Sequence, residues 1–381
     1  MKRHALNPRI LKSPFFESTV AAGAGDFVPY NGMWMPYNYG DTLAEYWATI
    51  EAVTLWDTSV QRIIEISGPD AAAFTSLLTP RDISKVRPGR CRYVMLTNQY
   101  GGIVNDPVML RLDEDRFWLS TADSDVLLWA QGVAVFAGMD VEVSAPDAYP
   151  VQLQGPSSPE VVAALLGESI LDLGYYHCTR ASIDGIPVVV SRTGYSAEVG
   201  FEIYLQDPSR GEELWARMLE AGEPHGLVVS SPNRIRRIEA GILDYRSDVV
   251  IDDNPFQVGM DRLVDLDKEG GFIGQEALKA IAAAGVDRKM VGVFIDGEAL
   301  DTHNENRWPV TTEGGEPAGE LTAFVHSPRL DRNIGYVMAG IEHTEVGNKL
   351  RVRTPLGERV AEVTTTPFVD KDKSIPRRKL R

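Results

Sequence analysis

Hydrophobic and polar positions alternate around one Gly-Gly pair, in Asn98-Gln99-Tyr100-Gly101-Gly102-Ile103-Val104-Asn105-Asp106-Pro107-Val108-Met109-Leu110. The alternation predicts two short antiparallel strands joined by a tight turn. Asn105 and Asp106 fall inside the second strand, where neighbouring side chains point to opposite faces. At least one of them therefore points somewhere apolar, either as a satisfied structural group or as part of a site wall. Elsewhere the period is helical: Leu43, Tyr46, Trp47 and Ile50 predict a helix over residues 42–55, followed by a strand over 62–67.

A pattern then recurs. Ile66-Ser67-Gly68-Pro69-Asp70 leads into an apolar run ending at Leu77-Leu78, and 87 residues later Leu153-Gln154-Gly155-Pro156-Ser157 leads into Val161-Val162-Ala163-Ala164-Leu165-Leu166. Each reads as strand, Gly-Pro break, helix. The hairpin, a strand through Phe117-Trp118-Leu119 and a helix from about residue 123 follow the first. Strands over 186–191 and 201–205 and a helix over about 209–221 follow the second. The two stretches read as one α/β unit used twice, with chance similarity as the alternative. Under duplication, Asn105 and Asp106 correspond roughly to Glu202. In Gly200-Phe201-Glu202-Ile203-Tyr204-Leu205, Glu202 and Tyr204 share the face opposite the apolar one, roughly 6 to 7 Å apart. That pair is either solvent-exposed or converges with its counterparts where the halves meet.

Residues up to 39 are loop-rich, with Tyr30, Trp34, Tyr37 and Tyr39 clustered around Met33, Met35 and Pro36. This is a loop packed on a core, or a ligand wall supplied by Trp34 and Tyr30. Ser231-Pro232-Asn233-Arg234-Ile235-Arg236-Arg237-Ile238-Glu239 reads as a helix with Arg234 and Arg236 solvated and Arg237 inward. Turn chemistry at 254–274 marks a connector. From about residue 289 short strands separated by Gly, Pro and Asp indicate a separate all-β domain, and residues 371–381 read as a loose basic tail.

At 381 residues the chain exceeds a single core, and 44% hydrophobic with 24% charged residues is a globular composition. Its net charge of −16 argues against a nucleic-acid surface or an anionic membrane as partner. Two cysteines, Cys91 and Cys178, without CxxC spacing fit a reducing, cytoplasmic setting. The first nine residues lack an apolar leader core, and no run of about 18 apolar residues occurs. Six scattered histidines show no ligand spacing, so no metal is expected. Walker, GxGxxG and GxSxG motifs at the required positions are lacking.

Several stretches resemble the folate-dependent aminomethyltransferase (glycine-cleavage T-protein) family, in matching order along almost the whole chain. They are Trp56-Asp57-Thr58-Ser59, Ile66-Ser67-Gly68-Pro69-Asp70, Gly101-Gly102-Ile103-Val104-Asn105-Asp106, Thr193-Gly194 with Gly200-Phe201-Glu202-Ile203, Arg237-Ile238-Glu239-Ala240-Gly241, Asn254-Pro255-Phe256, Phe272-Ile273-Gly274-Gln275-Glu276-Ala277-Leu278, and Leu321-Thr322 with Ser327-Pro328. The resemblance implies an α+β fold: a three-domain cloverleaf, with two duplicated α/β units around a central channel plus a C-terminal all-β, barrel-like domain. The expected division is 1–58 with 147–255 as a discontinuous first α/β domain, 59–146 as the second, 256–288 as connector and 289–381 as the β domain.

The family pattern has an Asp-Asp pair where this chain has Asn105-Asp106, and its first aspartate is tied to aminomethyl transfer. An amide cannot exchange a proton as a carboxylate does. Together with Leu78-Thr79-Pro80-Arg81-Asp82 and Leu119-Ser120-Thr121-Ala122-Asp123-Ser124-Asp125, the Asn-Asp-Pro-Val version is similar to the tetrahydrofolate-dependent demethylase branch. The activity this implies is transfer of a methyl group from a small donor to N5 of tetrahydrofolate, the foremost donor being a sulfonium such as dimethylsulfoniopropionate. The alternatives are aminomethyl transfer, a betaine or methoxy-aromatic donor, or folate binding without catalysis. By resemblance Glu202 holds the pterin, Tyr204 sits beside the reacting nitrogen with Asn105 as the other catalytic position, Tyr93 and Ser120 contact the cofactor, and Arg237 serves the folate end. Trp34 and Tyr30 are the candidates for binding a cationic methyl group. Oligomeric state is not legible.

Overall fold

The computed structural model of the protein describes residues 8–300, 304 and 306–381. Residues 1–7, read above as lacking an apolar leader core, lie outside the described residues.

The sequence repeat becomes two equivalent sheets. One has six strands, in the order Cys178–Ile183, Ile186–Ser191, Gly200–Leu205, Tyr149–Gln154, Val53–Asp57, Leu227–Ser230. The other has five, in the order Arg90–Tyr93, Val108–Asp113, Arg116–Ser120, Ile63–Ser67, Glu142–Ser144. The first five positions of the two orders match one to one. At both strand-to-helix breaks the glycine is left-handed, with φ +122° at Gly68 and +127° at Gly155. A Cβ would lie 2.7 Å from the carbonyl oxygen of Asp140 at the first and 2.5 Å from that of Ala52 at the second, so both turns exclude a side chain.

Register corrects one expectation. Gln152 lies opposite Glu202 and Glu65 opposite Trp118, so the counterpart of Glu202 is Trp118 and not Asn105 or Asp106. The reason is an insertion. Where Asp184-Gly185 tightly joins two strands of the larger sheet, the smaller sheet detours from Tyr93 to Val108 through a separate ribbon of Leu96–Thr97 and Ile103–Asn105. The Gly-Gly hairpin therefore forms as expected, with Asn98 Oδ1 accepting from the Tyr100 and Gly102 amides. Its second strand stops at Asn105, because Pro107 has no N–H to continue a ladder, and Val108–Asp113 resumes in the other sheet.

Helices cover one face of each sheet. Val161, Val162, Leu214 and Trp215 pack on Val151, Leu153, Phe201 and Ile203. Phe74, Leu78, Val126 and Ala130 pack on Ile64, Ile66, Phe117 and Leu119. Alternation sends Gln152, Glu202, Tyr204 and Trp118 to the uncovered faces. The sheets join edge to edge there: the Cys91 amide donates to the Tyr176 carbonyl (2.8 Å) and the Cys178 amide to that of Gly89 (2.9 Å). Cys91, Trp118, Cys178, Val189 and Tyr204 form the apolar seam. The C-terminal part is a closed six-strand barrel of Arg288–Ile295, Arg332–Gly340, Pro317–Ser327, Trp308–Thr312, Lys349–Thr354 and Gly357–Thr364.

Three further expectations change. The N-terminal aromatic stretch is a hairpin, Asp26–Tyr30 with Met33–Asn38, turned by Asn31 and Gly32 at φ 47° and 71°. An Asn-Gly pair is the standard signal for such a turn. The tail is not loose: Ser374–Arg377 is a short helix, and Arg192 Nη2 donates to the carbonyls of Pro376 and Arg378. Arg236 is not solvated. It is fully buried, donating to Glu198 Oε1 (2.8 Å), while its neighbour Glu239 accepts from Tyr46 and from Ser327 of the barrel. Among the described residues no helix is long and apolar enough to cross a membrane, and no His/Cys/Asp/Glu group has the arrangement of a metal site.

Candidate active site

A cavity of ≈ 1480 Å³ opens where the two uncovered sheet faces, the N-terminal hairpin, the helix Arg234–Glu239 and the barrel meet. Of the residues singled out from sequence, Tyr30, Tyr93, Ser120, Glu202 and Arg237 line it, and Asn105, Tyr204 and Trp34 do not.

Asp106, not Asn105, faces the cavity. Asn105 is fully buried and spends its amide on one loop: Nδ2 donates to the Ala122 carbonyl (3.0 Å) and to Ser124 Oγ (2.8 Å), and Oδ1 accepts from the Ala122 amide (3.1 Å). It is a clamp on the segment that brings Thr121 and Ala122 to the cavity wall. Asp106 follows at the break before Pro107. Its Oδ2 accepts from the Tyr93 hydroxyl (2.8 Å), and its Oδ1 is shielded from solvent without a partner. Burial pushes this carboxyl up to about 7, against the Tyr93 hydrogen bond and helped by the charge of Asp244.

Glu202 is buried, with Oε1 accepting from Gln152 Nε2 (2.8 Å) and Oε2 from the hydroxyls of Thr193 and, at 3.3 Å, Tyr204. Burial raises its pKa and these donors oppose the rise. Tyr204 is fully buried behind Glu202, its ring 5.8 Å from Trp118 across the seam. The expected place of Tyr204 at the reacting centre is therefore corrected: two residues along the strand the seam closes over the ring. Tyr195 reaches the cavity instead, its amide donating to Gln152 Oε1 (3.2 Å) and its hydroxyl to the Leu243 carbonyl (3.0 Å).

The hairpin delivers Tyr30, anchored by the Asn31 amide donating to Asp123 Oδ1 (2.9 Å) and by Asn31 Nδ2 donating to the Val60 and Ala122 carbonyls. Burial, Asp244 and Asp106 hold the Tyr30 hydroxyl well above its usual pKa, so it stays neutral. Trp34 lies on the partner strand, turned into the core with 9% exposure, and the wall beyond it is Met35, Pro36 and Tyr37. Arg237 is buried and donates to Asp248 Oδ2 (2.5 Å) with Asp244 3.9 Å away; burial works against its charge, and Asp248, Tyr195 and Asp244 outweigh it.

Sequence reasoning missed a second polar region. Arg81, Arg92, Arg262, Lys373 and Arg377 converge on one mouth of the cavity from four separate segments, the last two from the C-terminal helix and its cap. Arg81 and Arg92 donate to backbone carbonyls, and among the described residues none of the five forms an ion pair with a carboxylate. Burial first, then Arg92 and Arg262, pull the Arg81 pKa down, and Lys373 is lowered by burial, Arg262 and Arg377. No local motif signals residues so scattered; in a chain of net charge −16 the cluster emerges only on folding.

The GCVT N-terminal domain matches residues 15–268, and the glycine cleavage T-protein C-terminal barrel domain matches 288–370. The chain is 32% identical over 355 residues to the dimethylsulfoniopropionate demethylase DmdA of Ruegeria pomeroyi, spanning 93% of this chain and 96% of that one. It is 33% identical over 375 residues to an aminomethyltransferase of Streptomyces avermitilis, spanning 96% and 99%. The fold superposes on the crystal structure of glycine cleavage system aminomethyltransferase T from Bartonella henselae with a TM-score of 0.85 at 24% identity, covering 95% of this chain and 99% of that one.

Proposed function

We propose, from the premise that the chain belongs to the glycine cleavage T-protein family, that it is a demethylase: it moves a methyl group from a small onium donor, dimethylsulfoniopropionate foremost, to tetrahydrofolate. As a member of this family of folate-dependent aminomethyltransferases and demethylases it is a tetrahydrofolate-dependent transferase. Identity does not separate the two chemistries, since the demethylase and aminomethyltransferase relatives are equally distant.

The residues present fit the folate. Gln152 and Glu202 offer an amide and a carboxylate side by side, the complement of the lactam and amine edge of a pterin. The cationic mouth offers unpaired positive charge to an anionic tail. In this assignment Glu202 holds the pterin, with Tyr204 behind it as support, Tyr93 and Ser120 form the adjoining wall, and Arg237 fixes Asp248 and Asp244. When bound, tetrahydrofolate supplies the nitrogen that accepts the methyl group.

The observation that carries the demethylase reading is the wall at Asp106. Its unpartnered Oδ1, the Asp244 carboxylate and the aromatic residues Tyr30 and Tyr195 on the same wall suit a positive centre that has no N–H or O–H of its own. An onium donor releases a neutral thioether or amine, with the electron pair of the broken bond going to sulfur or nitrogen, so no acid is required there. Asp106, with its unpartnered Oδ1, would take the proton that the accepting amine loses on methylation. The surrounding tyrosines exclude water that would compete for the methyl group.

Aminomethyl transfer is the second reading, favoured by the same carboxyl, which near neutrality can also protonate a leaving thiolate. A donor panel separates them. Anaerobic incubation with tetrahydrofolate should give 5-methyltetrahydrofolate from a sulfonium or betaine. Product from an aminomethylated carrier protein, with every onium donor inert, would reverse the assignment.

A further inference from the structure

The cavity has a direction. At the cationic mouth Arg81 Nη1 donates to the carbonyl of Tyr93 (2.6 Å), whose own hydroxyl reaches Asp106, while Glu202 is joined through Gln152 to the Tyr195 amide on the adjoining wall. Past Asp106 come Tyr30 and Asp244, which act on each other, and past Asp244 comes Arg234. With the anionic tail of the folate at the mouth and its heterocycle at Glu202, the space from Asp106 to Arg234 is left for the donor.

Arg234 opens the helix Arg234–Glu239 and lines that far end. Its Nη2 donates to Asn304 Oδ1 (2.8 Å), and Asn304 is itself fixed by donating to the Thr322 carbonyl (2.8 Å). Its Nε is shielded from solvent without a partner, and among the described residues no carboxylate forms an ion pair with it. Burial and the nearby Arg237 oppose its charge, and Asp244 and Asp248 sustain it from a distance. Arg234 lines the cavity with its guanidinium held at Nη2 and its Nε unpartnered, and a guanidinium with donors to spare is matched by a planar bidentate anion. Neither a solvated role nor a structural ion pair accounts for it.

We propose that Arg234 binds the carboxylate of the methyl donor, so that the donors are short zwitterions with an onium methyl group at one end and a carboxylate at the other. This rests on the methyl-transfer reading above. The onium lies against Asp106, Asp244 and Tyr30, and the carboxylate reaches Arg234. Arg234 thus sets specificity without touching the reacting atoms.

The test compares dimethylsulfoniopropionate with its methyl ester in wild type, Arg234→Gln and Arg234→Lys. Arg234→Gln should raise KM for the acid about tenfold to a hundredfold, the loss expected for an unpaired buried charge partner. KM for the ester, poor from the start, should move less than about twofold, and Arg234→Lys should fall between. An equal change for acid and ester, or no change for the acid, overturns the proposal. If Arg234→Gln does not fold, the split is read from Arg234→Lys. If wild type turns over neither compound, the methyl-transfer reading fails separately, and calorimetry with dimethylsulfoniopropionate decides Arg234. An affinity about tenfold weaker in the variant, with tetrahydrofolate binding intact, sustains the proposal, and equal or undetectable wild-type binding overturns it.

Discussion

In the proposed methyl transfer, Asp106 is the residue on which the chemistry turns. A carboxyl at about 7 is half ionised near neutrality, and only the ionised form both attracts an onium and accepts a proton. Because ionisation is gained as pH rises, kcat/KM should climb with pH through a limb centred near 7. Asp106→Asn should remove that limb and lower kcat by about 10²- to 10⁴-fold while leaving tetrahydrofolate bound, as a pH–rate profile with a binding titration would read. Its neighbour acts differently. An aspartate at position 105 would face the Ala122 carbonyl without a proton to donate, so Asn105→Asp should cost about 1 to 3 kcal/mol. The new carboxyl's pKa would be raised by burial, so the loss is small at acid pH and grows as pH rises through that value. Thermal unfolding across about pH 5 to 8 follows this, and a pH-independent loss would place the effect elsewhere. Sequence brought the pair to notice, yet alternation could not say which member faces the site, because the strand ends between them at the residue before Pro107.

Among the elements, those with strong local signals were legible. The Gly-Gly hairpin, the two strand–Gly-Pro–helix units and the barrel strands all follow from spacing and turn residues. The Asn31-Gly32 hairpin carried an equally clear signal that the surrounding aromatics obscured, and with it went the separation of Tyr30, on the wall, from Trp34, in the core. Other placements had no local signal. Arg236 is buried because Glu198 comes from elsewhere in the chain to meet it beside Glu239 of its own helix, and the basic tail docks because Arg192 holds its carbonyls. The docked tail makes a functional claim testable. Removing residues 371–381 takes Lys373 and Arg377 from the mouth, and tetrahydrofolate affinity should fall by about tenfold or more at low salt. The difference from wild type should shrink as salt screens the remaining arginines, a trend a fluorescence titration would follow.

The whole molecule places charge where its composition does not suggest it. A chain of net charge −16 gathers five cations at one mouth and Arg234 and Arg237 at the far end, with the carboxyls of Glu202, Asp106 and Asp244 also on the wall. Two equivalent sheets turn their uncovered faces together, and the short helix Arg234–Glu239 ties them to the barrel through Glu239 and the Tyr336 hydroxyl, which donates to the Ile238 carbonyl (2.8 Å). The polarity of the cavity is thus a product of assembly. The most direct measurement supplies dimethylsulfoniopropionate carrying carbon-13 in its S-methyl groups together with tetrahydrofolate and follows the label by NMR. The account predicts that the label moves to the N5-methyl resonance at a rate proportional to enzyme. Label that stays on sulfur, while an aminomethylated carrier yields methylenetetrahydrofolate, would contradict it.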